Sequence, residues 1–591
     1  MASTIHVWEK YEIVLKARNA YDNPYTDVRV WVDLEGPDFE RRVYGFWDGG
    51  DTFRVRVTAP RPGEWVWYSG ASEADAGLCG ERGHFTAVPW AEEALIENPC
   101  RRGMIGVTDN GRALAYADGT PYFMVGDTWW ATPTFRYRWT EAPEGRPAGP
   151  DMGFKDMVQY RKAQGYNAIA MLAAFPTWAN DDEPPLIWYD EDEGIGIRDA
   201  WQQAGTASAK DMHNEGGRPF RFPGRVPGYE YVVPDFDRIN PAYFRYLDRK
   251  VDYLNAQGFV PFIEVARRDV STVWRTFYDW PESYARYVAY VFSRYHANNC
   301  ILSPIHYDWT RMSIPSRDYN EPANRVLDRD GPLPFGTLLS ANANGSTLLN
   351  FGQPAWLSLH QIGNWRHHHS HWLLTDIYQR TDPPRPALNG EPYYAGWPDY
   401  QGWPDYEGWD EEGLVGGTEA DDAACRSGMY GSFLSGGLAG HIYGAQGIWG
   451  ADIEPESVYT MWDALQWRSG AQMQHLRTFA LSEGDRYQSL VPRTDLVYPH
   501  QTPEVEGNRG WAYCACTPER DLFMLYFEWG AAQPTLRDAR RLATYEARWF
   551  NPRTGGWTDA GELTADAWRE IDLPGLPSEE DWALKLTLKR R

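Results

Sequence analysis

Residues 122–130, YFMVGDTWW, show the pattern that decides the fold of this chain: an apolar run that ends in polar and aromatic residues. The pattern returns at 166–175 (YNAIAMLAAF), 259–268 (FVPFIEVARR) and 300–309 (CILSPIHYDW), and longer stretches with helical patterning lie between these runs. Short buried strands that alternate with helices are typical of βα units. The chain is therefore predicted to contain a parallel sheet.

Four further strand ends complete the set. They lie at 337–345 (TLLSANANG), 356–363 (WLSLHQIG), 386–394 (PALNGEPYY) and 437–449 (GLAGHIYGAQGIW). Eight strands separated by helices predict a (β/α)8 TIM barrel, which we assign to residues 93–480. A doubly wound open sheet is the alternative, although no Gly-x-Gly-x-x-Gly motif opens a helix after the first strand.

The first 92 residues alternate between apolar and polar residues, as in VRVWVDLEG at 28–36. In FRVRVTAPRPGEWVWYS, at 53–69, the PRPG turn joins two such runs, which predicts a β-hairpin. Residues 1–92 are therefore predicted to form a small antiparallel β-sandwich.

Alternation returns after the helical stretch at 459–481, in RGWAYCAC (509–516), DLFMLYFEW (521–529) and WALKLTLKR (582–590). These runs predict a second all-β unit, a small antiparallel β-sandwich over residues 481–591.

Charge and aromatic content limit the classes of partner. The chain has 57 basic and 82 acidic residues, and its net charge of −25 repels phosphate backbones and anionic membrane surfaces. We therefore expect no nucleic-acid partner and no membrane association. The 30 Trp and 36 Tyr residues favour ring-shaped neutral ligands, because flat amphipathic side chains stack on sugar rings. A carbohydrate substrate is the expected partner, and a homo-oligomer is compatible with the sequence.

The six cysteines form no CxxC pair and no regular spacing, so neither a zinc knuckle nor a disulfide framework is indicated. The N-terminal residues lack a basic segment followed by a continuous apolar run. The expected location is cytoplasmic, or secreted if a signal segment has been removed.

Candidate site residues follow from the predicted barrel, whose functional groups lie at the carboxyl ends of the strands. The polar and aromatic residues near those ends are Asp127, Trp129, Glu264, Arg267, His306, Asp308, His360, Asn389, Glu391, Tyr394, His441 and Tyr443. Asp308 and Glu391 belong to the fourth and seventh strands, on opposite sides of an eight-strand ring, so their carboxylates are expected to face each other. Two facing carboxylates can cleave a glycosidic bond: one protonates the leaving oxygen, and the other attacks the anomeric carbon or activates water.

The residues next to these candidates in the sequence predict their protonation and their ion pairs. Asp308 lies between Tyr307 and Trp309, which are expected to raise its pKa by desolvation and keep it protonated, as an acid catalyst requires. Glu264 and Arg267 are expected to form an ion pair at the rim, with Glu264 as a reserve acid.

Two pairs of aromatic or imidazole side chains are interpreted from strand periodicity. His441 and Tyr443 share one face of a strand, so both are candidates for sugar contact, and one is a candidate partner of Glu391. Trp129 and Trp130 are adjacent and are expected to divide between pocket and core.

Several pieces of the chain resemble a known family, the apiosidase-like (β/α)8 glycoside hydrolases. The pieces are GDTWW (126–130), NPAYFRYLDRKVDYLNAQGFVPF (240–262), NGEPYY (389–394) and GHIYGAQGIW (440–449). The first 90 residues resemble the Ig-like domain that often precedes such barrels. The segment from WFNPRTGGW (549–557) to DWALKLTL (581–588) resembles the small β domain, described as collagen-binding, that often follows them.

The resemblance implies a retaining glycoside hydrolase with Glu391 as the nucleophile, Asp308 as the acid/base and Asp127 as a ligand of a sugar hydroxyl. The chain departs from the family pattern in two places. IHYDW (305–309) stands where members commonly show a Gly-Gly-acid ending, and SANANG (340–345) replaces a histidine after the fifth strand. The second departure implies a glycone or linkage different from apiose.

Other functions remain open at this stage. A barrel without its acid would be a non-catalytic carbohydrate-binding or scaffold protein, and a polysaccharide lyase would need a base near His306 or Tyr307. RHHHSHW (366–372) places His367 and His371 at helical spacing, but no HExxH accompanies them. We therefore predict no metal and no cofactor. The tandem WPDYQGWPDYEG (397–408) is interpreted as a rim loop that either stacks on substrate or packs on the surface.

Overall fold

The computed structural model describes residues 3–589 apart from 144, 146, 175–184, 191–193, 200–212, 231–232, 309–313, 364–368, 398–414, 456 and 502–509. A β-rich unit, a central α/β unit and a second β-rich unit follow one another along the chain. Among the helices of the described residues, none combines the length and the apolar character that a membrane span needs.

The N-terminal unit consists of two sheets that enclose one apolar core. In sheet order the five-stranded sheet contains Ser3–His6, Arg82–Val88, Gly63–Ala71, Val30–Gly36 and Phe39–Tyr44, and the three-stranded sheet contains Tyr11–Lys16, Thr52–Val57 and Phe46–Trp47. Short helices lie at Pro24–Asp27 and Glu92–Glu97. Val30, Val32 and Leu34 are buried and the residues between them are not, which confirms the predicted alternation.

The predicted hairpin at the PRPG turn is wrong. Thr52–Val57 pairs within the three-stranded sheet, whereas Gly63–Ala71 pairs with Val30–Gly36 and Arg82–Val88 in the other sheet. The turn therefore crosses from one sheet to the other. Both strands bury alternate residues in the shared core, so a crossover has the same period-2 signature as a hairpin.

The central unit is a curled sheet whose eight parallel strands agree with the predicted βα alternation. In chain order, from the first parallel strand to the eighth, they are Met124–Thr128, Ala168–Leu172, Val260–Glu264, Ile301–Ser303, Leu338–Leu339, His360–Gly363, Ala387–Glu391 and Gly440–Tyr443. A ninth strand, Gly345–Ser346, is antiparallel to the sixth, so the sheet is not the plain eight-strand ring that was predicted.

The order of the strands argues against the doubly wound alternative. Each parallel strand pairs with its neighbour in sequence, except that the fifth and sixth do not pair, and the first strand lies between the second and the eighth. Leu339 O in the fifth strand accepts hydrogen bonds from the N–H groups of Ser358 (2.8 Å) and Leu359 (3.2 Å), just before the sixth. A doubly wound sheet reverses its strand order near the middle, and this one does not.

Helices follow the strands and cover the sheet. They are Phe154–Ala163, Pro241–Ala256, Arg268–Phe277, Glu282–Tyr295, Asn320–Asp330, Thr347–Phe351, His369–Arg380, Glu419–Leu434, Met461–Leu465 and Arg468–Ala480. The helix Pro241–Ala256 shows why the sequence folds this way. Asn240 caps it by accepting from Ala242 N, proline occupies its first position, and Tyr243, Leu247 and Leu254 lie on its buried face.

Small β-ribbons decorate the central unit. They are the three-stranded set Ile105–Val107, Leu114–Tyr116 and Pro121–Tyr122, and the pairs Pro185–Asp190 with Gly194–Asp199 and Phe220–Arg221 with Asp235–Ile239. The last two pairs belong to the insertion between the second and third parallel strands.

The C-terminal unit is again a pair of β-sheets. In sheet order, one contains Val491–Pro492, Ala512–Cys516, Leu522–Phe527, Trp582–Leu588, Thr544–Phe550 and Trp557–Thr564, and the other contains Val497–Tyr498, Thr535–Leu536 and Ile571–Asp572. Every residue of Leu522–Phe527 is buried. Phe523 and Leu525 pack in the core of this unit, whereas Met524 and Tyr526 pack with the central unit. The strand is buried on both faces, so its sequence is continuously apolar.

Candidate active site

Glu391 is the last residue of the seventh parallel strand, and a β-bulge aims its side chain. Ile362 pairs with Asn389, but the next residue, Gly363, pairs with Glu391, so Gly390 is the extra residue of the bulge. A Cβ at Gly390 would lie 1.8 Å from Oε1 of Gln361, so any larger residue here would displace the Gln361 side chain. Asn389 faces the helix layer, where its Nδ2 donates to Ser432 Oγ (3.0 Å). The bulge therefore separates the directions of Asn389 and Glu391.

The carboxylate of Glu391 is buried and accepts two side-chain hydrogen bonds. Tyr394 OH donates to Oε1 (3.1 Å), and Asn342 Nδ2 donates to Oε2 (3.2 Å). Burial raises the pKa of Glu391, and the negative charge of Asp308 raises it further.

Asp308 lies five residues after the fourth parallel strand and is bound by two arginines. Arg267 Nη2 donates to Oδ2 (3.2 Å), and Arg268 Nη1 donates to Oδ1. Burial opposes ionisation of Asp308, but the charges of Arg267, Arg268 and His306 outweigh it and hold the pKa of the carboxyl well below its usual range.

The expectation that aromatic neighbours keep Asp308 protonated is therefore wrong. Tyr307 turns away, because its OH donates to Ile314 O (3.3 Å) and its ring packs on Tyr319 and Phe351. Trp309 lies outside the described residues. The arginines determine the ionisation state of Asp308, and they lie 40 and 41 residues earlier in the chain.

Glu264 and His306 form a second buried pair behind Asp308. Glu264 ends the third strand; its Oε2 contacts His306 Nδ1, and its Oε1 accepts from Asn342 N (3.1 Å). His306 Nε2 lies 3.4 Å from Asp308 Oδ2. Burial opposes a charge on His306, but Glu264 and Asp308 outweigh it and raise the pKa of the imidazole to about 10. The predicted ion pair of Glu264 with Arg267 is wrong, since Arg267 binds Asp308 and Glu264 binds His306.

The structure thus brings Asp308, Glu391 and His306 together at the carboxyl ends of the strands. One oxygen of each carboxylate and one ring nitrogen of His306 all lie within 4.8 Å of one another. Such spacing would suit a metal ion, but two guanidinium groups already bind the oxygens of Asp308. The protein therefore supplies positive charge at Asp308 itself, and carboxylates in this arrangement can carry out acid–base chemistry.

Asp127 and Trp129 lie in the interior and not at the mouth of the sheet. Asp127 is fully buried, and its Oδ2 accepts from Arg161 Nε (2.6 Å) and Trp129 Nε1 (2.8 Å). The proposed contact of Asp127 with a sugar hydroxyl is therefore wrong. Trp129 stacks on Tyr137, whereas the adjacent Trp130 packs edge-on against His306 at 4.6 Å, so the pair divides between core and site as predicted.

His360 and the eighth-strand pair also lie away from the carboxylates. His360 begins the sixth strand instead of following it, at the opposite end of the sheet from the mouth, and its Nδ1 contacts Thr347 Oγ1 at 2.7 Å. Tyr443 shares a hydrogen bond with Ser469 Oγ (2.9 Å) in the helix Arg468–Ala480. His441 is buried two residues earlier, and burial lowers its pKa to about 3. The partner of Glu391 is Tyr394, not His441 or Tyr443.

The remaining candidate motifs fall partly outside the described residues. His371 is buried, with Nδ1 at Ser435 Oγ and its ring near Tyr513 of the C-terminal unit. His367 lies outside the described residues, as does the tandem repeat beyond Trp397.

Two asparagines of SANANG and one arginine are site residues that were absent from the candidates. Asn342 binds Glu391, Asn344 Nδ2 donates to the main-chain oxygen of Asp308 (3.1 Å), and Arg268 binds the side chain of Asp308. Asn342 Oδ1 is buried and has no hydrogen-bond partner within the described part of the chain. These residues follow apolar runs, so the strand-end criterion, applied to the fifth strand, would have found both asparagines.

Asn342→Ala is expected to lower kcat/KM for any reaction in which Glu391 takes part by about 10- to 100-fold, the equivalent of one hydrogen bond to a charged group. The lost donor also favours protonation of Glu391, so the acidic limb of the pH–rate profile is expected to move to higher pH. Steady-state kinetics across pH measure both effects. Asn19→Ala, at an exposed position of the N-terminal unit, is the matched control, and an unchanged acidic limb in Asn342→Ala would refute the contact.

The curled parallel sheet with two facing carboxylates at its carboxyl ends has the fold found in glycoside hydrolases. A crystal structure described as a "putative glycoside hydrolase" from Bacteroides vulgatus ATCC 8482 is similar over 99% of this chain and 100% of its own, with a TM-score of 0.63 and 16% identity. A structure described as a family 5 glycoside hydrolase from the same organism covers 83% of this chain and 94% of its own, with a TM-score of 0.56 and 16% identity.

The sequence profile described as "Apiosidase-like, catalytic domain" matches residues 108–484, and the chain belongs to this family. Residues 4–72 match a domain of unknown function (DUF5060), and residues 499–587 match a profile described as "Putative collagen-binding domain of a collagenase". These matches confirm the predicted family and both flanking domains. A search of curated proteins gives no significant match.

Proposed function

We propose that this protein is a retaining glycoside hydrolase that acts on neutral oligosaccharides or polysaccharides, with Glu391 as the nucleophile and Asp308 as the group that passes the proton. The observation that carries the proposal is the pair of carboxylates, Glu391 buried and Asp308 partly buried, with one oxygen of each within 4.8 Å. Retaining enzymes hold their carboxyl groups about 5–5.5 Å apart, and inverting enzymes need about 6.5–9.5 Å for a water molecule. The short spacing favours a covalent glycosyl-enzyme.

The same proposal treats the central unit as a (β/α)8 barrel with one inserted antiparallel strand. The cyclic strand order and the hydrogen bonds from Ser358 and Leu359 to Leu339 support it. The boundaries 1–92, 93–480 and 481–591 stay predictions for the three domains.

The chemistry assigned to Glu391 needs its ionised form. Its raised pKa means that the active fraction increases as the pH rises through that pKa, so activity is expected to fall on the acidic side. Tyr394 and Asn342 hold the two oxygens and fix the direction of attack on the anomeric carbon.

The test is a glycan panel with the full chain, followed by ¹H NMR of the first product formed. We expect hydrolysis of one neutral glycan and a product with the anomeric configuration of the substrate. The Glu391→Gln variant, which lacks the proposed nucleophile, is the negative control for hydrolysis. A product of opposite configuration would refute the retaining mechanism and leave hydrolysis in place.

A non-catalytic carbohydrate-binding role is the second candidate, because two arginines at Asp308 hold a carboxylate that has no proton to donate. Binding of a glycan without any release of product in the same panel would favour that role.

A further inference from the structure

Asp308 has to pass a proton in the proposed reaction, yet its neighbours keep it ionised. Arg267 and Arg268 donate to its two oxygens, and His306 Nε2 lies 3.4 Å from Oδ2. A carboxylate beside three positive groups has a strong preference for its charged form. The proton for the leaving oxygen must therefore rest on another group that reaches Asp308.

His306 is placed to hold that proton. Its Nδ1 faces Glu264 and its Nε2 faces Asp308, so each ring nitrogen has a carboxylate beside it. The main chain is fixed as well: His306 N donates to Ala266 O (2.8 Å), and His306 O accepts from Arg268 N (3.1 Å). The edge of the ring packs on Trp130, and the side chain is 1% exposed. An imidazole fixed in this way keeps one orientation.

The charges around the imidazole balance when it is protonated. Among the described residues, its charged neighbours are Glu264 from the third strand, Arg267 and Arg268 from the segment after that strand, Asp308 from its own segment, and Glu391 from the seventh strand. Three carboxylates then face two guanidinium groups and one imidazolium. A neutral His306 would leave these described groups with a net negative charge in a largely buried place, which is unfavourable.

We propose that His306 is the proton reservoir of the active site: Glu264 holds it as an imidazolium, and its Nε2 proton reaches the leaving oxygen through Asp308. This inference rests on the proposed function and assigns to His306 a positioning role, since Asp308 remains the group that touches the substrate.

The steps balance without any further reagent. In the first, Glu391 forms a bond to the anomeric carbon as the bond to the leaving oxygen breaks. Asp308, which is ionised at the start, takes the Nε2 proton of His306, which becomes neutral, and passes this proton to the leaving oxygen. In the second, water attacks the anomeric carbon, the bond to Glu391 breaks, and the proton of the water passes through Asp308 back to Nε2.

The charge state is measured first, independently of activity, by NMR of the full chain labelled with ¹⁵N-histidine. The signal that disappears in His306→Gln identifies the residue. We expect an imidazolium at pH 7 to 8, because the pKa of His306 is raised to about 10, and loss of that charged form in Glu264→Gln. A neutral ring that titrates near the ordinary value of about 6.5 would overturn the proposal.

The kinetic arm uses phenyl and 2,4-dinitrophenyl glycosides of the sugar that the wild type releases. His306→Gln is expected to lower kcat by about 100-fold for the phenyl glycoside and by less than about threefold for the dinitrophenyl glycoside, whose leaving group needs no proton. The wild type is expected to keep its activity up to about pH 10, and this alkaline limb is expected to change in the variant.

Equal losses on both substrates, with an unchanged pH profile, would make His306 merely structural and overturn the proposal. His84→Gln, at an exposed position of the N-terminal unit, controls for histidine replacement, and Glu264→Gln provides a second variant of nearly equal shape. If the wild type hydrolyses no glycoside, the proposed function and this role both fail, whereas the NMR result still decides the charge of the imidazole.

Discussion

Glu391→Gln is expected to lower kcat/KM by about 10⁴-fold or more, because an amide cannot form the glycosyl-enzyme that a carboxylate forms. The variant keeps the size of the side chain, and the amide can still meet Tyr394 and Asn342. Steady-state kinetics on the glycan identified by the panel measure the loss. Binding of that glycan, followed by calorimetry, is expected to change much less than the rate.

The fold of this variant is expected to survive. Burial and the charge of Asp308 raise the pKa of Glu391, so its ionised form costs stability in the folded protein at pH values above that pKa. The neutral amide removes this cost, and the melting temperature is expected to stay equal or to rise. Glu93→Gln, at an exposed position in a helix, is the matched control and is expected to change neither quantity. Wild-type rates in Glu391→Gln would reject Glu391 as the nucleophile.

The arrangement of strands was readable from sequence because each strand is a local pattern. Apolar runs such as Ala168–Leu172 are buried on both faces of a parallel sheet, so they stay continuous in the sequence. The position of Glu391 at the end of such a run was likewise local information.

The ionisation state of Asp308 could not be predicted from the sequence, because it depends on Arg267 and Arg268, which follow the third strand. Local aromatic neighbours suggested desolvation, but desolvation is outweighed by two charges that only the folded chain brings near. Contacts between residues that lie far apart in the sequence cannot be predicted from local sequence patterns.

The second source of error was the direction in which the side chains of a strand point and the residues at which the strand begins and ends. A period of two assigns Asn389 and Glu391 to the same face, but the bulge at Gly390 turns them apart. A shift of a few residues in the sixth strand likewise moved His360 from the carboxyl end to the start. A criterion based on strand ends is only as accurate as the strand boundaries.

Asp248→Asn is expected to destabilise the contact between the N-terminal and central units by about 3–5 kcal/mol, the effect of removing one partner from a buried ion cluster. Asp248 lies on the helix Pro241–Ala256 and accepts from Arg56 of the N-terminal unit (3.0 and 2.6 Å) and from Arg294 of the helix Glu282–Tyr295 (2.8 and 2.7 Å). All three side chains are buried. The amide would leave two buried guanidinium groups with less negative charge, and urea unfolding measures the loss.

The dependence on pH gives this prediction a second test. Burial opposes the charge on Asp248, but Arg294 and Arg56 outweigh it and depress the pKa of the carboxyl in the folded protein. Its contribution is therefore fully present above the unfolded pKa of about 3.9 and is lost as the pH falls towards the folded value. The difference between wild type and Asp248→Asn should shrink only in strong acid. Asp33→Asn breaks the exposed pair with Arg42 and is expected to cost less than about 1 kcal/mol. Equal effects of the two variants would show that the buried cluster does not hold the N-terminal unit to the central one.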